Sequence, residues 1–213
     1  AFLLACNKGH AECMQLLAEA GCNTAAKTNN GPNNGGTALM HTAFSGVATA
    51  VRAALAAGWC ELEATNSTGE TAFLLACNKG HAECMQLLAE AGCNTAAKTN
   101  NGPNNGGTAL MHTAFSGVAT AVRAALAAGW CELEATDSTG CTAFLLACNE
   151  GHAECMQLLA DAGCNTLAKT SAGGNALLDT AGSGVAAAVR TVLAAGWCEL
   201  EATSSTGVTA FLA

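Results

Sequence analysis

The stretch TAFLLACNKGHAECMQLLAEAG, residues 71–92, decides the fold. In its first half Phe73, Ala76 and Cys77 fall at i, i+3 and i+4, which is one face of a helix. In its second half Cys84, Leu87, Leu88 and Ala91 repeat that spacing. Gly80 and Gly92 stand where each helix has to stop. Two such short helices cannot bury both of their apolar faces alone. The segment therefore reads as one hairpin of a stack whose core is completed by its neighbours.

The rest of the chain repeats this hairpin. AFLLACNKGHAECMQLLAEAGCN begins at Ala1 and again at Ala72, and a close copy begins at Ala143, so the period is 71 residues. Residues 1–71 and 72–142 differ only at Asn66 against Asp137 and at Glu70 against Cys141. The third copy drifts and is four residues shorter. Each long period holds two related units, because Thr37-Ala-Leu-Met-His-Thr-Ala-Phe-Ser-Gly46 matches Thr71 to Gly80 in plan. The expected organisation is a single array over 1–213 with units 1–36, 37–70, 71–107, 108–141, 142–174 and 175–208 and a stub at 209–213. Asn-Gly-Pro and Ser-Thr-Gly clusters mark the turns between them.

A unit of about 33 residues that reads T-x-L-x-x-A-x-x-x-G-H, then an apolar helix, then Gly, resembles the ankyrin repeat. Gly80-His81 and Leu87-Leu88 fall where that family has its Gly-His and Leu-Leu, and Ala135-x-Asp137-x-x-Gly140-x-Thr142 matches its repeat junction. The resemblance implies an all-α solenoid of helix-turn-helix units with short extended loop tips. There are departures. The Pro after Thr is Ala throughout, and the family's His is Leu74 or Met40, which puts its usual bond to Thr in question. Units 1–36 and 71–107 carry four extra residues in their Asn-Gly-Pro-Asn-Asn-Gly-Gly tips, and the Gly-Trp-Cys-Glu-Leu units carry one.

Composition narrows the function. Only 11% of residues are charged, against about 25% in ordinary soluble domains, so much of the surface is neutral. The net charge of −8 argues against nucleic acid as a partner, because phosphate binding needs clustered Lys and Arg. No run is apolar enough for a membrane span. No nucleophile elbow, zincin motif or phosphate loop is present, and neither a catalytic site nor a cofactor is expected.

Cys6, His10 and Cys13 recur as Cys77, His81, Cys84 and as Cys148, His152, Cys155. Zinc wants four such ligands at closed tetrahedral spacing, and the preferred reading is cysteine acting as a small buried hydrophobe. The candidate neighbour-to-neighbour disulfides join Cys60 to Cys93 and Cys131 to Cys164. They need the extra residue to shorten a repeat separation of roughly 10 Å to below about 7 Å, and free thiols are the alternative. Asn66-Ser67-Thr68 is a glycosylation sequon on a turn, weakened by Asp137 at the equivalent place. Glu12, Glu19, Glu61 and Glu63 read as solvated acids.

The resemblance places partner contacts on the loop tips and on the concave side of the first helices, at His41, Phe44, Leu75, Lys79, His112 and Phe115. Stable arrays need polar caps, yet Phe2, Leu3, Leu16 and Leu17 at one end and Phe211 and Leu212 at the other are apolar. Half-covering such side chains forfeits part of about 1.5–3 kcal/mol each, against a whole-domain stability of about 5–15. Either more of the same chain, in a longer array, or a neighbouring copy stacked head to tail would cover such ends, and the first expectation is a non-catalytic structural protein whose repeats stack head to tail on copies of itself, as a fibre or tube. The second is a soluble adaptor that binds another protein through its concave face and tips. A fibre fits an extracellular location and an adaptor a cytoplasmic one.

Overall fold

The computed structural model describes residues 1–29, 34–101 and 105–210. Phe211 and Leu212 lie outside them, as does most of the four-residue insertion in each long tip.

The chain divides into two compact units, Ala1–Asn105 and Gly106–Ala213. The first contains α1 (Phe2–Lys8), α2 (Ala11–Glu19), α3 (Ala38–Ser45), α4 (Ala48–Ala56), α5 (Ala72–Asn78) and α6 (Ala82–Glu90). The second contains α7 (Ala109–Ser116), α8 (Ala119–Ala127), α9 (Ala143–Asn149), α10 (Ala153–Asp161), α11 (Ala176–Ser183) and α12 (Ala186–Ala195). Among the described residues the only β pairing is an isolated bridge between Thr203 and Thr209, so the all-α expectation holds.

Threonine caps α3, α5, α7 and α9, and Asn175 caps α11. Thr71 Oγ1 accepts the Leu74 amide at 3.3 Å and Thr142 Oγ1 accepts that of Leu145 at 3.3 Å, which satisfies one of the first-turn amides a helix leaves open. Losing the family's His therefore does not cost the cap. At Thr37 the replacement contributes as well, because the Thr37 amide donates to Met40 Sδ at 3.4 Å.

In the first unit the inner helices α1, α3 and α5 pack in sequence, each against its own outer helix, and α2, α4 and α6 form the second layer. The second unit repeats this plan with α7, α9 and α11 inside and α8, α10 and α12 outside. The core lies between the layers. Met14, Leu39, Phe73, Met85 and Leu88 fill it in one unit, and Leu110, Phe144, Leu145, Met156 and Leu159 in the other. Cys6, Cys77, Cys84, Cys148 and Cys155 are buried among them, as small hydrophobes are. Phe2 also belongs to this core. It was expected as an uncovered end, but it is 4% exposed and stands edge-on to the Trp59 ring at 5.0 Å.

Two kinds of seal join successive pairs. Where a 1–36 type precedes a 37–70 type, Val47 sits on Gly9 and Val185 on Gly151. Where a 37–70 type precedes a 71–107 type, the His81 ring sits on Gly46 and the His152 ring on Gly117. Gly46 has φ +74°, where a side chain is strained, and a Cβ there would lie 2.5 Å from the imidazole.

The third copy breaks one rule. Where α3 and α7 carry His41 and His112, α11 carries Asp179. Burial pushes its carboxyl up from the ordinary 3.8 to about 6. The native state thus binds protons more tightly than the unfolded chain, and stability falls as pH rises through about 4 to 6. Carried in full, that displacement is worth about 3 kcal/mol, and residual solvent access reduces it to about 1–2. Asp179→Asn is expected to stabilise the protein by that amount at pH 7, with the gain fading below about pH 4. Urea unfolding of both proteins across this range checks it. The difference between them cancels His41 and His81, whose pKa values burial lowers.

Candidate functional site

The inner helices present a mixed face. Lys79 Nζ lies 4.8 Å above the centroid of the Phe44 ring, a cation–π contact that half-covers an aromatic on α3. In the second unit the residue equivalent to Lys79 is Glu150, which cannot make that contact. Phe115 is correspondingly left 39% exposed on α7. In α11 the same place is Gly182. The two units therefore differ: the first sets a cation over its ring, while the second leaves its ring exposed on α7 and has glycine at that place on α11.

Three residues expected on this face are not available. Leu75 is 3% exposed, His41 6% and His112 3%. On α3, packed between α1 and α5, more of the circumference is buried than one stripe. His41 Nδ1 lies 3.4 Å from Asn7 Oδ1, while its buried Nε2 has no hydrogen-bond partner. Burial keeps the ring neutral.

The turn tips are tied to one another. The Ser67 amide donates to Asn34 O at 2.7 Å and Asn101 Nδ2 donates to Ser67 O at 2.9 Å. In the second unit the Ser171 amide reaches Thr139 O at 3.0 Å and that of Ser205 reaches Ala172 O at 2.9 Å. Among the described residues, successive turns within each unit are thus joined by hydrogen bonds.

Inside one tip, Asn66 Oδ1 accepts the amides of Thr68 at 3.0 Å and Glu70 at 2.9 Å. Its Nδ2 donates to Glu70 Oε2 at 3.3 Å. Asn66 is 6% exposed, so the folded sequon does not present its amide nitrogen for glycosylation. The equivalent Asp137 Oδ1 takes the same amides, from Thr139 at 2.8 Å and Cys141 at 3.0 Å. The only two differences between the first copies are thus one compensated exchange. Asp brings a carboxylate into the turn and Cys removes the one that Glu held.

Cys141→Glu is expected to set two carboxylates side by side and cost about 1–2 kcal/mol at pH 7. Adding Asp137→Asn restores the Asn–Glu pairing and recovers the loss, which a double-mutant cycle in urea measures.

All thirteen cysteines are free thiols. Cys60, Cys93, Cys131 and Cys164 are half-buried and not bridged. Cys93 interacts electrostatically with Cys77 of its own hairpin and with Glu63, and Cys164 with Cys148 and Glu134. Burial and these acids push the Cys93 and Cys164 thiols up to about 12, away from the reactive thiolate.

Several acids do more than face solvent. Glu61 pairs with Lys27 at 2.7 Å, and Glu63 Oε1 accepts the Asn94 amide at 2.7 Å. The end residues of the first pair vary in exposure. Leu16 is 58% exposed, Leu3 and Leu17 are half-buried, and Leu4, not singled out by the pattern, is 63% exposed.

The sequence pattern of ankyrin repeats matches in three overlapping copies, over residues 2–99, 39–128 and 96–170. The chain belongs to the ankyrin-repeat family. The fold is that of solved ankyrin domains. The ankyrin repeat domain of human ASB11 superimposes with a TM-score of 0.82 at 18% identity, covering 100% of this chain and 91% of that one. The ankyrin repeat domain of Bcl-3, a member of the IkappaB protein family, gives 0.68 at 22% identity, covering 99% and 92%. No curated protein sequence gives a significant match. Ankyrin repeats are protein-interaction scaffolds. Among the described residues no helix is long and apolar enough to cross a membrane.

Proposed function

We propose that this ankyrin protein is a non-catalytic adaptor that binds another protein through its inner-helix face and turn tips. The observation that carries the reading is Phe115, an aromatic left 39% exposed on a rigid helix. Exposed aromatics on fixed scaffolds are the anchors that dominate binding energy. Lys79 over Phe44 supplies a second anchor of different polarity in the first unit.

Binders selected from a displayed protein library against the folded chain test this. Phe115→Ala and Lys79→Glu are expected to weaken the selected binders by roughly tenfold or more, with protection from hydrogen exchange on α3, α5, α7 and the tips. Binders that are indifferent to both changes and protect only the outer helices α4, α8 and α12 would overturn the reading.

A further inference from the structure

Residues 37–46 and 108–117 are identical in sequence, and so are 71–78 and 142–149. In each unit a segment of the first kind packs against one of the second, α3 on α5 and α7 on α9. The backbone at the two phenylalanines is held alike: Phe44 O lies 3.3 Å from His81 Nε2, and Phe115 O lies 3.2 Å from His152 Nε2. The first difference comes one residue further on, where Lys79 stands against Glu150. The first unit therefore shows what such a ring takes. Lys79 Nζ sits 4.8 Å from the Phe44 centroid, where the negative face of the ring attracts a cation.

In the second unit the ring has no such cation. Phe115 is exposed, and Glu150 makes no ion pair among the described residues. Glu150 Oε1 accepts a bond from Asn149 Nδ2 at 3.0 Å. The counterpart Asn78 donates to Glu70 at 3.0 Å, so the exchange of Glu70 for Cys141 releases Asn149 to hold Glu150. The inner helices α7, α9 and α11 contain no Lys or Arg, and α11 carries Asp179. Across residues 106–213 nine acidic side chains stand against Arg123, Lys169 and Arg190. Arg123 and Lys169 are already paired, with Glu154 and Glu199. An open ring face, with a carboxylate rooted where Lys79 is rooted in the first unit, is complementary to a positive side chain.

We infer that Phe115 and Glu150 receive one lysine or arginine side chain of a partner protein, which takes over Phe115 the position that Lys79 takes over Phe44. This rests on the adaptor reading and names the partner's chemistry. The ring supplies the face that attracts the cation and the carboxylate supplies its counter-charge, so a positive side chain is preferred to a neutral one of similar size. The Phe44 ring does not offer the same receptor, because Lys79 already lies over it.

Two displayed peptide libraries test this, one fully random and one made without Lys and Arg, each selected against the 213-residue chain. Peptides that Phe115→Ala weakens are expected from the random library and not from the depleted one. Each is expected to carry a Lys or Arg whose change to Gln weakens binding by roughly tenfold. Glu150→Lys writes the sequence of residues 71–79 into 142–150, which the fold already accommodates. It is expected to lay its own ammonium on Phe115 and to weaken the peptides by roughly tenfold. Phe115→Leu keeps an apolar side chain without the ring face and is expected to do the same. Asp161→Lys makes the same change of charge at an exposed place on the outer helix α10, and is expected to shift affinity by no more than about twofold. Phe115-dependent peptides that arise equally well without Lys and Arg would overturn this receptor and leave the adaptor reading standing. So would peptides indifferent to Phe115→Leu, or that lose no more to Glu150→Lys than to Asp161→Lys. Absence of Phe115-dependent peptides from both libraries would overturn both.

Discussion

Phe144→Ala is expected to cost about 3–5 kcal/mol, the largest loss from any single truncation in the second unit. Phe144 is fully buried on α9, and its ring stands edge-on to Trp197 at 5.4 Å and 81°. Removing it gives up the transfer energy of the ring, the aromatic contact and the packing of α9 against its neighbours, and leaves a cavity on which helices on both sides would have to close. The same residue type at Phe2 provides an internal comparison. Phe2 is also buried and meets Trp59 at 5.0 Å, but α1 has a packed neighbour on one flank only, so the site relaxes more easily. Phe2→Ala is expected to cost about 1–2 kcal/mol less than Phe144→Ala. Urea denaturation of both variants measures the difference. Equal losses would mean that neighbours on both sides do not matter.

Gly46→Ala is expected to cost about 2–4 kcal/mol, and Gly58→Ala only about 1. Both glycines have φ near +70°, at +74° and +72°, so the backbone penalty is shared. They differ in surroundings. At Gly58 a Cβ meets nothing within 4 Å, while at Gly46 it lies 2.5–2.6 Å from three atoms of the His81 ring. The ring must leave, and its 3.3 Å bond to Phe44 O goes with it. His81→Ala made in the Gly46→Ala background should then cost less than in the parent, a coupling that a thermodynamic cycle reads directly.

The repeat itself was legible. Spacing in residues 71–92 located the helices α5 and α6, and the 71-residue period carried that reading to the rest of the chain. Periodicity identifies an apolar face but not how much of the circumference neighbours will cover. His41 and Leu75 were therefore read as surface and are buried. Position in the stack is also invisible to local sequence. Cys13 and Cys84 lie in identical segments, and only the pair packed on α5–α6 makes one exposed and the other buried.

The sequon at Asn66 misled for a different reason. A turn was correctly inferred, but the turn uses the asparagine as its own hydrogen-bonding centre, a role that any Asx turn signals. Glu61 and Glu63 are exposed, in line with their reading as solvated acids, but their partners, Lys27 and the Asn94 amide, lie about one unit away in sequence and are not visible locally. That spacing recurs at Arg52–Glu83 and Arg123–Glu154, and a search for opposite charges one unit apart would have found it.

The account depends on each hairpin's apolar flank being completed by the hairpin before it. Thiol labelling in dilute solution tests this most directly, comparing the fast-reacting thiols of the parent with those of Cys13→Ser and Cys84→Ser. Loss of one fast thiol with Cys13→Ser and of none with Cys84→Ser is the predicted result. If both substitutions removed a fast thiol, or neither did, the two identical segments would share one environment, and stacking would not be what distinguishes them.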